Sequence, residues 1–291
     1  MDYDDTGKVS FDHIYDQPDP RAYFSTLRRV DYRIPQEASR YFRRLLELRT
    51  SRYQRPATVL DIGCSYGINA ALLRCGLTMG DLYQRYCDGD ARSVPTRALL
   101  ARDQETIRAR DHSPGTRFVG LDTSLPALSY ATGAGFLTDA VHADLESSDP
   151  TAQQRRQLAA TDLIISTGCI GYITDKTISR VLDTSDGRRP WLAHFVLRMF
   201  PFDPVADCLA GYGYETVGFE PVFKQRRFAS AEEQAHVLGN LVEVGVDPRG
   251  LEAEGWLYAR LFVSCPRGEA GQIGSDLGRG AGRGPGRDGE A

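Results

Sequence analysis

The segment from Thr58 to Gly76 constrains the fold of this chain more than any other stretch. It begins with a short β-branched and apolar run, Thr58 to Ile62, and continues through two glycines, Gly63 and Gly67. An apolar run from Ile68 to Leu73 follows, and the glycine that ends the segment is a candidate helix C-cap. The pattern predicts a strand, a tight turn and a helix.

Further strand patterns follow the first, and helical patterns lie between most of them. The predicted strands are Arg117 to Asp122, Ala140 to Ala143, Asp162 to Ser166 and Trp191 to Met199. This alternation indicates a parallel sheet with crossover helices. Two later extended segments, Glu215 to Phe223 and Gly255 to Cys265, flank a helical pattern, and we expect them to close the sheet edge.

The composition excludes several classes of protein. The chain has 291 residues, 41% hydrophobic and 25% charged, which suits one α/β domain with elaborations and excludes a wholly disordered chain. No run approaches the roughly 20 apolar residues of a membrane helix, so we expect no membrane span. The net charge of -4 disfavours a nucleic-acid partner. The polar, acidic start lacks the pattern of a secretory signal, and no cysteines form a C-x-x-C pair. We therefore expect a cytoplasmic protein with free thiols and no metal site.

The turn after the first strand is the predicted ligand site. It reads Asp61-Ile-Gly63-Cys-Ser65-Tyr-Gly67 and lies where an open α/β sheet binds ligands, at the carboxyl ends of its strands. The glycines allow a sharp turn and a close approach to a ligand, and the carboxylate accepts hydrogen bonds. A dinucleotide turn would read G-x-G-x-x-G, so this spacing disfavours NAD and FAD.

At these residues the chain resembles the class I S-adenosylmethionine-dependent methyltransferases, whose first motif is an acidic residue followed by G-x-G-x-G. Ser65 stands in place of the middle glycine, and we expect an ordinary backbone φ there. The resemblance extends through Asp122, Asp144 and the D-L-I-I-S stretch and covers roughly residues 57 to 200. It implies a Rossmann-like α/β fold with a seven-stranded, mostly parallel sheet, an antiparallel last strand and helices on both faces.

The resemblance also implies S-adenosyl-L-methionine as the cofactor and a role for each matching residue. Asp61 and Gly63 would lie beside its methionine moiety, and Gly67 would complete the turn around the nucleoside. Asp122 would bind both ribose hydroxyls, since a carboxylate offers two acceptor oxygens. Asp144 would accept a hydrogen bond from the adenine amine. The predicted cofactor-binding set is completed by Ser65, Ser166, Thr167 and Gly168.

The spacing of the ribose-binding acid departs from the compact form of the family. Asp81 falls at about the compact spacing of 20 residues and competes with Asp122. However, the residues before Asp81 form a poor strand pattern, whereas those before Asp122 form a good one. We therefore assign the role to Asp122 and predict a helical insertion over about 77–115, which either covers the cofactor or forms a subunit contact.

The two ends of the chain lie outside the predicted methyltransferase domain of residues 57–266. Residues 1–56 form an N-terminal extension with a helix over about 35–50, and we expect this extension to act as a substrate lid. Nine of residues 267–291 are glycine and four are arginine, with few apolar side chains to bury. We therefore predict a disordered Gly/Arg tail.

Two residues are candidates for catalysis. Methyl transfer from a sulfonium releases a neutral leaving group, so the protein chiefly aligns the acceptor and excludes water, and a strong base is optional. Tyr172, just beyond the fourth strand, occupies the loop that the resemblance places beside the methyl group; a packing aromatic is the alternative. His194, in the fifth strand, is a candidate base, with a hydrogen-bonded core histidine as the alternative.

The sequence thus predicts a methyltransferase that acts on oxygen or nitrogen, with carbon also open, of a small molecule such as a specialised metabolite. The residues that are candidates for binding the acceptor are Tyr15, Tyr23, Tyr32, Arg33, Lys224, Arg226 and Arg227. Alternatively, these residues form an ordinary protein surface. An RNA methyltransferase, with phosphate contacts from the arginines of Arg40 to Arg44 and from the tail, is an alternative function. A protein that binds S-adenosylmethionine without catalysing a reaction is a second alternative function. The sequence leaves open whether the protein forms a homodimer.

Overall fold

The structure is a computed structural model that describes residue 4 and residues 6–281. Its strands are β1 (Thr58–Ile62), β2 (Arg117–Asp122), β3 (Asp139–His142), β4 (Leu163–Thr167), β5 (Trp191–Leu197), β6 (Tyr214–Arg227) and β7 (Trp256–Pro266). The helices are α1 (Asp12–Tyr15), α2 (Arg21–Arg29), α3 (Ile34–Tyr53), α4 (Ile68–Cys75), α5 (Met79–Cys87), α6 (Thr96–Arg110), α7 (Leu125–Ala134), α8 (Ala152–Leu158), α9 (Asp175–Leu182), α10 (Asp203–Gly211), α11 (Ala231–Glu243) and α12 (Ala270–Ala281). Short 3-10 turns span Gly89–Arg92 and Glu252–Glu254.

The strands form one seven-stranded sheet in the order β3-β2-β1-β4-β5-β7-β6. The pairings from β3 through β5 are parallel, whereas β7 is antiparallel to both of its neighbours, β5 and β6. This is the Rossmann-like methyltransferase fold, and it confirms the predicted sheet with its antiparallel last strand. The strand order reverses between β1 and β4, and open α/β sheets bind ligands at such a point.

Apolar layers cover both faces of the sheet. On one face, Val59 and Phe195 pack with Phe42 of α3, in the same cluster as residues of α4 and α7. On the other face, Leu60 and Val196 pack with residues of α9 and α10. Every residue of β1 and β5 is buried, as expected for strands that are covered on both sides.

The segment 77–115, predicted as a helical insertion, contains α5 and α6 and packs beside the sheet. The Phe24 ring of α2 stacks on Tyr86 of α5 with centroids 4.8 Å apart. The hydroxyls of Tyr86 and Tyr130 donate to Asp103 of α6 at 2.6 and 2.7 Å, which ties the insertion to α7.

The predicted disorder from residue 267 onward is wrong for residues 267–281. Helix α12 buries Ala270, Ile273 and Leu277, and the Trp191 indole N–H donates to Glu269 at 3.0 Å. These apolar residues recur at spacings of three and four and form a helical stripe, which the glycine-rich composition conceals. Residues 282–291 of the predicted tail lie outside the described residues.

No helix in the described part of the chain combines the length and apolar character that a membrane crossing requires.

Candidate functional site

A cavity of about 540 Å³ opens at the carboxyl ends of β1, β2 and β4, where the strand order reverses. This volume lies within the usual range for small-molecule sites. The predicted site residues that line the cavity are Gly63, Ser65, Asp122, Thr167, Gly168 and Tyr172. The topology of the sheet therefore brings together residues that are far apart in the chain.

The glycines of the turn after β1 are required by close approaches. Gly63 has a φ of +67°, and a Cβ there would lie 2.9 Å from the Cβ of Cys169. Gly67 has a φ of +75°, and a Cβ there would lie 3.1 Å from the Cβ of Ala131 in α7. Gly63 thus lets the loop after β4 approach the cavity, whereas Gly67 lets α4 begin close to α7.

Ser65 adopts a left-handed backbone with a φ of +48°, so the expectation of an ordinary φ is wrong. Its backbone N–H donates to Oδ2 of Asp122 at 2.8 Å, and this bond helps to fix the turn in that conformation. A left-handed backbone costs a residue with a side chain about 1–2 kcal/mol. Ser65 therefore adopts a backbone conformation that glycine would adopt without this cost.

The carboxylate of Asp122 lies between two turns and faces the cavity. Oδ2 accepts from Ser65, and Oδ1 accepts the backbone N–H of Ser124 at 2.9 Å. Burial raises the pKa of Asp122, and the backbone N–H donors oppose that shift only in part. Each carboxylate oxygen has acceptor capacity beyond its one backbone bond, which remains for a ligand with hydroxyl donors.

Asp81, the competing acid, lies away from this cavity. Its carboxylate accepts from the backbone N–H and hydroxyl of Thr78 at 2.8 and 2.7 Å, in the capping box that begins α5. These hydrogen bonds lower the pKa of Asp81. The structure thus places Asp122, and not Asp81, at the cavity.

Asp61 lies behind the turn and reaches the cavity through another residue. Its Oδ1 accepts from Nδ2 of Asn69 at 3.0 Å, and burial raises the pKa of Asp61 to about 7. Asn69 lines the cavity, and its Nδ2 also lies 3.3 Å from Oγ1 of Thr167. Sequence reasoning missed Asn69, although it is the one polar residue in the apolar run from Ile68 to Leu73.

Asp144 is exposed and does not line the cavity, which disagrees with its predicted role at the adenine. Its Oδ1 accepts the backbone N–H of Glu146 at 3.0 Å, and its Oδ2 accepts the hydroxyl of Ser147 at 2.5 Å. These bonds lower the pKa of Asp144, with the Ser147 hydroxyl as the main cause. The carboxylate therefore caps its own turn after β3.

Ser166 and His194 form a buried pair in the core and not a cavity pair. The Ser166 hydroxyl and Nδ1 of His194 lie 2.7 Å apart, and both residues are fully buried. The imidazole lies 5.9 Å from the Phe202 ring, in an apolar layer, and burial lowers the pKa of His194 to about 3. The structure therefore favours the alternative, a hydrogen-bonded core histidine, because the buried ring is not among the residues that line the cavity.

Tyr172 does lie at the cavity, where it contacts the N-terminal segment. Its hydroxyl donates to Oδ2 of Asp4 at 2.5 Å, and the amine of Lys8 lies 4.6 Å from its ring centroid. Burial and the Asp4 carboxylate raise the pKa of Tyr172 far above its usual value. The phenol therefore stays protonated, and its observed contacts are with Asp4 and with Lys8 of the segment that covers the cavity.

That segment, residues 6–17, is here called the N-terminal strap. The Tyr66 hydroxyl donates to the Gln17 carbonyl at 2.9 Å, and the Ser124 hydroxyl donates to the Tyr15 carbonyl at 2.8 Å. The backbone N–H of Val9 donates to Glu233 in α11 at 2.9 Å. The strap residues that line the cavity are Lys8, Val9, Ser10, Phe11, Tyr15 and Asp16.

The candidate acceptor-binding residues divide into two groups. Tyr15, Tyr23, Tyr32 and Arg226 line the cavity. The cationic groups of Arg33, Lys224 and Arg227 instead lie 4.7, 4.6 and 4.5 Å from the Trp256 ring. The second group therefore covers a buried tryptophan at one edge of the sheet and not the cavity.

A second recess of about 540 Å³ lies between α5 and α6 and is wide open to solvent. Arg85 and Asp103 form an ion pair at 3.0 Å in this region, and Arg102 and Asp90 form another at 2.6 Å. Because these charges already satisfy one another, the recess offers no comparable site. Over residues 4 and 6–281, no three His, Cys, Asp or Glu side chains are grouped to hold a metal ion.

No protein-family model matches the sequence, and no curated protein matches it. Among solved structures, magnesium protoporphyrin IX methyltransferase from Synechocystis with bound SAM is 12% identical, with a TM-score of 0.36 over 76% of each chain. A plantazolicin methyltransferase in complex with a desmethyl-plantazolicin analog and SAH is 13% identical, with a TM-score of 0.42 over 86% of this chain and 91% of that one. The fold assignment above rests on the strand order and not on these likenesses.

Proposed function

We propose that the protein is an S-adenosyl-L-methionine-dependent methyltransferase that acts on oxygen or nitrogen of a small molecule, with carbon also open. The observation that carries the proposal is the Asp122 carboxylate, which ends β2, is held by the N–H of Ser65 and faces the cavity. An acid at this point can accept hydrogen bonds from a cis-diol. Asp122 lies beside the turn after β1, and the spacing of the glycines in that turn disfavours a dinucleotide ligand.

Buried polar atoms around the cavity support a ligand of this chemistry. Ser65 Oγ, Asn69 Oδ1 and Gln225 Oε1 belong to cavity-lining residues, are buried and lack a hydrogen-bond partner among the described residues. Native proteins rarely leave such atoms unpaired, so a ligand with several donors fits here. The amino group and hydroxyls of the proposed cofactor are donors of this kind.

The charges around the cavity also suit the cofactor, which supplies an electrophilic methyl group on a sulfonium cation. Asp16 and Asp122 line one side of the cavity, whereas the cations Lys8 and Arg226 line the other. Carboxylates at short range favour a cationic ligand, more strongly in a poorly solvated site than in water. We assign the ribose to Asp122 and the amino-acid part to the region of Gly63 and Asn69. Thr123 and Ser124, which also line the cavity, take the place that Asp144 does not fill.

The N-terminal strap supports the lid role expected for the extension. It covers the cavity with Phe11 and Tyr15, and its contacts with Glu233, Tyr66 and Ser124 hold it in place. A cover of this kind excludes water and aligns the acceptor, which is the main contribution that methyl transfer needs from a protein. Exchange of ligands then requires the strap to move.

The arginines of α3 do not favour RNA as the acceptor. Arg40 stacks over the Tyr41 ring at 4.8 Å, and Arg44 pairs with Glu47 at 3.4 Å. These residues do not line the cavity, so they form no basic path towards it. The six cysteines are free thiols, which supports the proposal that the protein acts in a reducing compartment such as the cytoplasm.

The test is ligand binding by thermal shift and calorimetry with S-adenosylmethionine, S-adenosylhomocysteine, NAD and ATP. We expect stabilisation by the first two, and stabilisation by NAD alone would overturn the proposal. Asp122→Ala should weaken S-adenosylhomocysteine binding at least about 10-fold, because hydrogen bonds to a carboxylate are lost. Asp144→Ala is the matched control and should bind as the wild type does. Incubation of the protein with cell extract and isotopically labelled S-adenosylmethionine then tests for turnover. Transfer of the label to a metabolite indicates an enzyme, and no transfer indicates a protein that only binds the cofactor.

A further inference from the structure

Lys8 is a buried amine at the cavity that the proposed cofactor site does not use. It lies on the N-terminal strap, is 7% exposed and lines the cavity. Its amine lies over the ring of Tyr172, which follows β4, and close to Arg226 of β6. Lys8 therefore belongs to the β4–β6 side of the cavity, opposite the β2 side that carries Asp122.

The charge of Lys8 has no counter-ion of its own. No carboxylate of the described residues lies within ion-pair distance of its amine; Asp4 and Glu233 are the acids in electrostatic range. Asp4 accepts from Tyr172, from both the N–H and the hydroxyl of Thr6, and from the backbone of Lys8 itself. Glu233 binds the guanidinium of Arg226 at 2.6 and 2.9 Å.

The free energy of this arrangement favours an anionic ligand. Burial and the Arg226 guanidinium lower the pKa of Lys8 to about 8, which reflects the cost of burying its charge beside another cation. A carboxylate beside the amine would repay that cost, since a buried cation is stabilised by a paired and hydrogen-bonded anion. Gln225 on the same side has a buried Oε1 without a described partner, and this acceptor suits a hydroxyl or amine donor of a ligand and not its acid group.

The cavity that Lys8 lines has aromatic walls, and the ring of Tyr172 lies directly beside the amine. The rings that line the cavity are Phe11, Tyr15, Tyr23, Tyr32 and Tyr172. Tyr15 and Tyr32 meet the Tyr23 ring edge-to-face, with centroids 5.7 and 6.4 Å away. Such walls suit a planar, unsaturated ligand, because aromatic rings add edge and stacking contacts to the area that they bury.

We propose that the β4–β6 side of the cavity binds an aromatic acceptor through its acid group and that Lys8 is the cation that pairs with this group. That this ligand is the methyl acceptor rests on the proposed methyltransferase function. Binding of an aromatic acid beside Lys8 can be measured whether or not that function holds.

The first experiment compares a panel of aromatic carboxylates with their neutral amides by calorimetry, with and without S-adenosylhomocysteine. The panel is benzoate, salicylate, cinnamate, 2-naphthoate and indole-3-acetate. We expect at least one carboxylate to bind about 10-fold more tightly than its amide, as for a desolvated ion pair. Lys8→Met should remove the preference, Lys8→Arg should keep it, and the exposed, cavity-remote Lys224→Met should match the wild type.

The second experiment observes the amine itself. The chain has three lysines, Lys8, Lys176 and Lys224, so reductive ¹³C-methylation gives a small set of NMR signals that Lys8→Arg assigns. A bound carboxylate should shift the Lys8 signal and raise its apparent pKa, whereas the amide should leave both unchanged. No shift with any carboxylate of the panel at about 10 mM, a concentration that detects even weak binding, would overturn the proposal.

One further outcome would show that Lys8 binds the cofactor and not the acceptor. Loss of S-adenosylhomocysteine affinity in Lys8→Met, with unchanged affinity for methylthioadenosine, would pair the amine with the cofactor's own carboxylate and overturn the proposal. Failure of S-adenosylhomocysteine to bind the wild type would instead count against the proposed function. The carboxylate preference would still be measured without it.

Discussion

The backbone N–H of Ser65 donates to Oδ2 of Asp122 at 2.8 Å, and this bond ties the turn after β1 to the end of β2. The same carboxylate therefore supports the turn and faces the cavity. A change at either residue is expected to affect the other, because this bond contributes both to the left-handed backbone of Ser65 and to the orientation of Asp122, whose other oxygen accepts from Ser124.

We predict that Ser65→Gly keeps or increases stability, by up to about 1 kcal/mol, because glycine adopts the left-handed backbone without strain. Part of the gain is offset by the greater freedom of glycine in the unfolded chain. Ser65→Val should destabilise, since a β-branched residue tolerates this φ poorly. Urea denaturation measures both. Ser65→Ala, which removes only the hydroxyl, is the control, and a large loss of stability in Ser65→Gly would contradict the assigned conformation.

We predict that Asp61→Asn alters the dependence of stability on pH. The pKa of Asp61 is raised to about 7, so the folded state binds a proton more tightly than the unfolded chain does. The stability from this proton is fully present below pH 4 and is lost as the pH rises through 7. The variant should therefore gain stability relative to the wild type between pH 4 and 8, as measured by urea denaturation. A constant difference across that range would show that Asp61 titrates normally.

We predict that His194→Leu destabilises by about 1–3 kcal/mol, because the buried Ser166 hydroxyl loses its partner. The double variant Ser166→Ala/His194→Leu should recover part of this loss. The pKa of His194 is lowered to about 3, so stability that the wild type loses as the pH falls below 6.5 should be kept by the double variant. The affinity for S-adenosylhomocysteine should stay within about 2-fold of wild type, because distant sites without shared partners affect each other little. Loss of binding in these variants would restore His194 to the site.

We predict that Ile273→Asp destabilises by about 2–4 kcal/mol, because it buries an unpaired carboxylate beneath α12. Gln272→Asp, on the exposed side of the same helix, should change stability by less than about 0.5 kcal/mol. Thermal or urea unfolding compares the two. Equal stability of the two variants would mean that α12 does not pack on the sheet in solution.

The elements that the sequence predicts well have strong local patterns. β-branched runs marked the parallel strands, and their ends placed Asp122 at the carboxyl edge of the sheet. The glycines at 63 and 67 marked the turn because glycine adopts a positive φ without strain, and both have one in the structure. These features depend on neighbouring residues, which a single sequence displays.

The features that sequence reasoning missed depend on tertiary context. The left-handed φ of Ser65 is stabilised by a carboxylate 57 residues away. Asp144 is diverted by its own turn, whose hydrogen bonds with Ser147 compete with any ligand. Lys8 and Asn69 carry no motif, and only the path of the strap and the start of α4 bring them to the cavity. The stripe of α12 is too short to outweigh the glycines around it.

The N-terminal strap binds to a helix that is synthesised much later in the chain. Val9 bonds to Glu233, 224 residues later in the chain, and Asn240 donates to the Thr6 carbonyl. Tyr66 and Ser124 can hold the later part of the strap once they have been synthesised, but Thr6 and Val9 lack these partners until α11 has left the ribosome. The first residues of the strap are therefore fixed only after α11 has been made, and fragments that stop before α11 should leave Thr6 and Val9 undocked.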